Sequence, residues 1–319
     1  METKILNLLK ENSDSFLSGE EISRQLHVSR TAVWKHIQHL KDTGYEIIAQ
    51  PHLGYRLQAV PDKMLPDEIG YNLNTKIFAK KVISFSSTTS TNDVAYKLAE
   101  QGQDEGALVV AEEQSRGRGR MERKWLSPPG VGIYASLILR PKITPIEAGK
   151  ITLMGAVSIA KIIRKLYGIT ALIKWPNDVF IENEKICGIL TEMNAEQDLI
   201  KFVILGMGVN VNNDAAQIPP GATSLKIQTG RQINRIEFFQ NVLEELEAHY
   251  VKIIHREFDF IIDEWRNLSL TLGRRVKIKR ESKNIEGQAM DIDENGALII
   301  RDDFGFSHHI LSGDVQIER

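Results

Sequence analysis

Apolar residues in the first 63 positions recur at helical spacing and are punctuated by capping residues. Ile5, Leu6, Leu8 and Leu9 give a first helix its buried face. Ser18, with Glu21 three places on, is a capping box, and Ile22 and Leu26 supply the buried side of the helix that follows. Ser29 is an N-cap for a third helix over residues 30–42, with Val33, Ile37 and Leu40 inside and Gly44 beyond its end. Arg30, Thr31, Trp34, Lys35 and Gln38 then face outward. Two short strands, 45–49 and 54–57, flank Pro51-His52-Leu53. Helix, helix, tight turn, helix and hairpin predict a winged helix-turn-helix over residues 1–63. The outer face of its third helix suits a DNA major groove, with Ser29, Arg30, Thr31, Trp34 and Lys35 as the candidate contacts.

Pro61 and Pro66, with charged residues between them, read as a linker. Residues 64–270 then carry a mixed pattern. Strands are expected over 81–84, 107–111, 133–139 and 171–174, a hairpin over 179–193, and a further strand over 202–205 that runs into Gly206-Met207-Gly208. Long helices are expected over 146–167 and 236–254, the second with Phe239, Val242, Leu243, Leu246, Tyr250 and Ile253 on one side. Ser86 to Asn92 is a hydroxyl-rich turn leading into a helix through Leu98. Strands that follow one another without strict helix alternation point to an α+β fold. Residues 271–319 read as all β. Strands are expected over 276–279, 286–292, 297–301 and 307–311, a small barrel of SH3-like size.

Composition narrows the function classes. The formal net charge of -2 excludes a globally basic nucleic-acid coat, so any DNA contact must be local. Within residues 1–60, seven basic side chains balance seven acidic ones, so only their distribution favours DNA. The one cysteine, Cys187, allows neither an intramolecular disulfide nor a cysteine-based zinc site, and suits a cytoplasmic setting. It lies in an apolar strand and reads as a packed thiol. No apolar run is long enough to span a bilayer. His36 and His39 share a helix face and His308 adjoins His309, but neither pair has enough partners for a metal site.

The most unusual stretch is Arg116-Gly117-Arg118-Gly119-Arg120-Met121-Glu122-Arg123-Lys124. Five of these nine residues are basic and one is acidic. Burying such a run without counter-charge would be costly, so it reads as a loop that settles around an anion. A nucleic-acid backbone, a small phosphate or carboxylate ligand, and a plain solvated turn all fit the loop taken alone. Lys174 beside Trp175-Pro176 and Lys185 beside Ile186 add cations outside the DNA-like unit. Together they suit a reaction between two anions, whose repulsion must be cancelled. Ser90, Thr91 and Gln114 offer neutral hydrogen-bonding groups for a polar, uncharged ligand head.

Five segments occur in a telling order: Ser90-Thr91-Asn92, Gly117-Arg118-Gly119-Arg120 with Trp125, Lys174-Trp175-Pro176-Asn177-Asp178, Lys185-Ile186-Cys187-Gly188, and Gly206-Met207-Gly208-Val209-Asn210. This set resembles the biotin protein ligases. With the N-terminal winged unit, the whole chain is similar to the bifunctional bacterial kind that also represses the biotin operon. Arg116 departs from a small residue in many members, and Met121-Glu122 replaces a common Arg-Gly. The resemblance implies a central biotin/lipoate ligase-like, class II synthetase-like domain. It implies biotin and ATP with Mg²⁺ as reactants, a biotinyl-5′-AMP intermediate, and transfer to a lysine of the biotin carboxyl carrier protein. It also implies operator DNA and an adenylate-bound homodimer as partners. By matching position, Ser90, Thr91, Asn92 and Gln114 would hold biotin, Arg118, Gly119 and Arg120 would close over the adenylate, and Lys185 would neutralise carboxylate and phosphate. Lys174, Asn177 and Asn210 fall on the nucleotide side. A lipoate ligase-like enzyme and a non-catalytic, ligand-sensing transcription factor are the alternatives.

Overall fold

The computed structural model describes residues 1–196, 198–278 and 284–318, in two compact units, Met1–Lys63 and Met64–Arg319. The first unit holds α1 (Glu2–Glu11), α2 (Gly19–Leu26), α3 (Arg30–Thr43), β1 (Glu46–Gln50) and β2 (Gly54–Ala59). Ser18 and Ser29 cap α2 and α3 by accepting from the backbone N–H of Glu21 and Ala32. Gly44 closes α3 in the left-handed region, where a side chain is disfavoured. Ile5, Leu6, Leu9, Ile22, Val33, Ile37 and Leu40 form the core of this small unit. β1 and β2 pair as an antiparallel wing.

In the second unit, α4 (Pro66–Gly70) occupies the end of the segment expected to be a linker. Pro66 sits at its first turn, where a missing N–H costs nothing. There follow β3 (Val82–Phe85), α5 (Thr91–Glu100), β4 (Leu108–Ala111), β5 (Gly132–Leu139), α6 (Gly149–Tyr167), β6 (Ala171–Lys174), β7 (Asp178–Ile181), β8 (Glu184–Glu196) and β9 (Leu199–Asn210). Then come α7 (Leu225–Thr229), α8 (Arg235–Ile254) and α9 (Asp259–Leu268). The strands form one seven-stranded sheet in the order β3-β4-β5-β9-β8-β7-β6. Only β3 and β4 are parallel; the other pairs are antiparallel, so the sheet is mixed. Side chains from α6, α8 and α9 build the large core on one face. On the other face, Ala95 and Ala99 of α5 pack against Val109, Ile138, Phe202 and Ile204. That helix covers only part of its face, which leaves room for a cleft.

A five-stranded antiparallel sheet ends the unit, built from β10 (Arg275–Ile278), β11 (Ile285–Ile292), β12 (Leu298–Arg301), β13 (Ser307–Ile310) and β14 (Val315–Ile317) in the order β13-β12-β11-β10-β14. The strand expected over 276–279 is seen through Ile278; Lys279 lies outside the described residues. The small sheet is joined to the large one by buried polar contacts. Trp175 donates its indole N–H to the Gly296 carbonyl at 2.9 Å, and its backbone N–H to the Thr271 hydroxyl at 2.9 Å.

Candidate active site

Strand register explains where the cleft lies. On the α5 face, Asp178, Gly188, Gly208 and Tyr134 stand in one cross-strand row, and Leu190, Gly206 and Ser136 in the next. Three glycines therefore remove side chains from the middle of the sheet face. A Cβ on Gly206 would lie 2.1 Å from Asn92 Oδ1, and one on Gly208 would lie 2.6 Å from Trp125 Cε2. The floor is bare because Asn92 and the Trp125 indole need that space.

Ser90, Thr91, Asn92, Gln114, Arg118, Gly119, Arg120, Lys174, Asn177, Lys185 and Asn210 all border this single cleft. They come from far apart in the chain, and the fold brings them together. Ser90 caps α5 through the Asp93 N–H, which places Thr91 and Asn92 in its first turn. Thr91 and Asn92 are buried, and the Thr91 N–H donates to Gln114 Oε1 at 2.8 Å. Gln114 Nε2 in turn donates to Ser127 Oγ at 3.0 Å. The Asn92 carboxamide points into the protein, donating to Glu192 Oε2 at 2.6 Å and accepting from Ser136 Oγ at 2.6 Å. Asn177 and Asn210 donate to the carbonyls of Ile189 and Thr223, which fixes both amides.

The charged end is built differently. The arginine loop folds back on itself: Trp125 N–H donates to the Gly117 carbonyl at 2.8 Å and Gly119 N–H to the Arg123 carbonyl at 2.7 Å. Gly117 has no room for a side chain, since its Cβ would sit 2.6 Å from the Trp125 carbonyl; at Gly119 the nearest atom would be 3.7 Å away. Met121 and Glu122 both adopt left-handed backbone, with φ of 55° and 54°. For residues that carry a Cβ this backbone costs about 1 kcal/mol each.

Two of the loop cations, Arg118 and Arg123, already rest on carboxylates. Arg118 contacts Asp93 at 2.5 Å and Glu192 at 3.0 Å. Burial works against its charge, but Glu192 and Asp93 outweigh burial and raise its pKa. Arg120 is more deeply placed, and burial lowers its pKa despite Asp178 and Asp314. Its Nη1 donates to Asn177 Oδ1 at 3.4 Å. Arg123 is paired with Asp314 at 2.5 Å. Lys185 Nζ lies 2.7 Å from Asp178 Oδ1, in a charge contact rather than an aligned hydrogen bond, and 5.5 Å from the centre of the Trp125 ring. Two buried donors at this end, Arg118 Nε and Trp125 Nε1, have no hydrogen-bond partner among the described residues. An anion entering here meets cations in place and donors to spare.

Several participants carry no signature in the sequence. Ser136, Glu192 and Asp314 are ordinary residues in strands or turns, and Gly313 with Asp314 brings the C-terminal sheet to the rim of the cleft. The alternation of Gly206 and Gly208 was the readable signal, since period two puts both on one face. Cys187 is fully buried, and desolvation pushes its thiol pKa up, as expected for a packed side chain. Among the described residues no three His, Cys, Asp or Glu side chains are grouped to hold a metal ion, and no helix is long and apolar enough to cross a membrane.

In the first unit Ser29 caps α3, while Arg30, Thr31, Trp34 and Lys35 are exposed along it and Val33, Ile37 and Leu40 are buried. His36 and His39 both contact the Glu2 carboxylate, at 3.1 and 2.9 Å, and hold α1 against α3.

Comparison with known proteins agrees with this architecture throughout. Residues 2–56 match an HTH domain, residues 84–210 the biotin/lipoate A/B protein ligase family, and residues 271–317 the biotin protein ligase C-terminal domain. The bifunctional ligase/repressor BirA of Bacillus subtilis is 38% identical over 98% of this chain and 97% of its own length. The BirA of Escherichia coli is 29% identical over 98% of this chain and 96% of its own. A biotin protein ligase from Aquifex aeolicus, solved in complex with biotin and ATP, is 30% identical with a TM-score of 0.65, covering 75% of this chain and 99% of that one. With all three parts matched in order, the chain belongs to the biotin protein ligase family, in its bifunctional ligase/repressor form.

Proposed function

We propose that the protein joins biotin to a carrier lysine in two steps and uses the intermediate of the first as a transcriptional signal. In the first step a carboxylate oxygen of biotin attacks the α-phosphorus of ATP. The bond to the β-phosphate oxygen breaks, pyrophosphate leaves, and biotinyl-5′-AMP remains. The magnesium ion arrives on ATP as part of the substrate, its charge spread over phosphate oxygens. In the second step the uncharged amine of a lysine on the biotin carboxyl carrier protein of acetyl-CoA carboxylase attacks the acyl carbon. An amide forms, AMP leaves, and the amine loses its proton to solvent.

The observation that carries this reading is one cleft with a neutral, buried polar end and a cationic end. Ser90, Thr91 and Gln114 hold the ureido ring. Lys185 turns from Asp178 to the reacting carboxylate and phosphate oxygens, cancelling their repulsion. Arg118, Gly119 and Arg120 close over the adenylate and keep water from the anhydride. Lys174, Asn177 and Asn210 serve the nucleotide. The adenylate-bound protein pairs as a homodimer on a two-fold operator of biotin genes, in the cytoplasm, with Arg30, Thr31, Trp34 and Lys35 of α3 at the groove.

The test is biotin-dependent release of pyrophosphate from ATP by the purified protein, with lipoate as control. Release with biotin alone is expected. Release with lipoate would favour the related acid. Biotin binding without pyrophosphate release would make the protein a ligand-sensing regulator.

A further inference from the structure

A buried chain of hydrogen bonds runs from the neutral end of the cleft to the arginine loop. Its links are Thr91 Oγ1 to Ser136 Oγ at 2.8 Å, Ser136 Oγ to Asn92 Oδ1 at 2.6 Å, Asn92 Nδ2 to Glu192 Oε2 at 2.6 Å, and Glu192 to Arg118. Ser136 is fully buried, and Thr91 and Asn92 nearly so. Each hydroxyl has one proton to give, so the direction of donation along the chain can be worked out.

Glu192 is an acceptor, so the Asn92 amide nitrogen faces it and Asn92 Oδ1 faces Ser136. Asn92 Oδ1 can only accept, and Ser136 is the donor within reach. The Ser136 proton is thereby committed to Asn92. Ser136 Oγ must then accept from Thr91, whose hydroxyl proton turns inward. The opposite order sends the Thr91 proton to Gln114 Oε1, 3.1 Å away, and the Ser136 proton to Thr91. That order leaves a buried Asn92 carbonyl without a donor, which proteins avoid. Gln114 Oε1 does not need the Thr91 hydroxyl, because it already accepts from the Thr91 backbone N–H. Its amide nitrogen is held by Ser127, whose own hydroxyl proton goes to the Trp125 carbonyl at 3.3 Å.

We propose that Ser136, Asn92 and Glu192 are positioning residues that set the polarity of this end of the cleft. They turn the Thr91 proton away from the ligand and leave Thr91 Oγ1, beside Gln114 Oε1, as a pair of acceptors. The ligand group that satisfies two acceptors is one with N–H donors on its ring. This inference rests on the reading of the ligand as biotin, whose ureido ring carries N–H groups, one of which can be shared by two acceptors 3.1 Å apart. Lipoate has none on its dithiolane, so it would leave both acceptors unpaired, the strong form of rejection. The far end of the chain is Glu192, which also holds Arg118, so ligand choice and loop anchoring share one carboxylate.

The test compares kcat/KM for pyrophosphate release with biotin against an analogue methylated at a ureido nitrogen. Wild-type protein is expected to prefer biotin strongly. Ser136→Ala frees the Thr91 proton to face the cleft. It is expected to raise KM for biotin about tenfold with kcat little changed, and to lower the preference over the methylated analogue by a similar factor. An equal loss on both ligands, or no change in their ratio, overturns the proposal. Glu192→Gln, at a partly exposed position, keeps the side chain's shape and can be read even if Ser136→Ala fails to fold. Its single carbonyl oxygen must serve either Asn92 or Arg118, so the ratio is expected to fall about threefold; an unchanged ratio overturns the proposal. If wild-type protein releases no pyrophosphate, the ligase reading fails. The same ratio is then taken from calorimetric Kd values for biotin and the analogue, and the proposal stands or falls on that ratio.

Discussion

The two ends of the cleft are solved by opposite means. At the Thr91 end the groups are neutral and mostly buried, and Thr91, Gln114, Ser136 and Asn92 are hydrogen-bonded to one another and to Ser127 before any ligand arrives. At the Lys185 end the groups are charged and partly exposed, and Arg118, Arg123 and Lys185 rest on carboxylates that a ligand anion must displace. The first end is preorganised, so its free energy of recognition goes to selecting the ligand. The second must exchange partners during the reaction. Its resting pairs offset the attraction of the incoming anion, and its net contribution comes where charge builds up in the transition state. A neutral ligand head and a reacting anion call for these two constructions respectively.

The sharpest way to break the contrast is Lys185→Ala. It should lower the rate of pyrophosphate release about 10²- to 10³-fold while biotin binding changes far less. A comparable loss in the calorimetric Kd for biotin would show that Lys185 serves ground-state binding instead. Next in size is Gly206→Ala, where the new methyl meets Asn92 Oδ1. A loss of about 1–3 kcal/mol in chemical denaturation is expected, with weaker biotin binding alongside. Unaltered stability would mean that Asn92 is not held where the packing puts it. Thr91→Val should weaken biotin about five- to tenfold, and the factor should not depend on salt. The release of biotinyl-AMP, by contrast, should quicken with salt in the wild type, and Arg120→Ala should both accelerate it and flatten that dependence. Equal salt slopes in the two proteins would remove the distinction between the ends. The smallest effect belongs to Glu122→Gly. Relief of left-handed strain should stabilise the folded loop by about 0.5–1 kcal/mol, seen as a slight rise in Tm. A fall in Tm would mean that the Arg118–Glu122 pair outweighs the strain.

The same contrast governs what could be read from the sequence. Cations on a glycine-rich loop announce themselves, because so many like charges have no place in a core. Capping and helical period likewise located α3, α6 and α8 to within a few residues. The carboxylates that restrain the cations did not stand out. Glu192 is a single acid in a strand, Asp178 is legible only as the end of the Lys174-Trp175-Pro176-Asn177-Asp178 run, and the register of β7, β8 and β9 brings both toward the arginine loop and Lys185. Ser136 in an apolar strand looks like a tolerated small residue until Thr91 and Asn92 are seen above it. Three helices were also missed, among them the five-residue α7. Helix α4 begins with Pro66, which reads equally as a breaker. Helix α9 has a legible stripe in Ile261, Ile262, Trp265 and Leu268, but the preceding Phe258 and Phe260 blur its period. The attachment of the C-terminal sheet rests on Trp175 reaching the Gly296 carbonyl, a pairing no local pattern encodes.

Of the four tryptophans, Trp34 is half exposed on α3, and Trp175 and Trp265 are fully buried. Trp125 is partly exposed, and its indole borders the cleft near the Lys185 ammonium and above the bare backbone of Gly208. The emission of an indole responds to nearby charge and to exclusion of water. The molecule thus carries its own optical reporter at the point where ligand, loop and lysine meet. Replacing the other three with phenylalanine would leave a single light source that follows ligand arrival and loop closure in real time, with no attached dye.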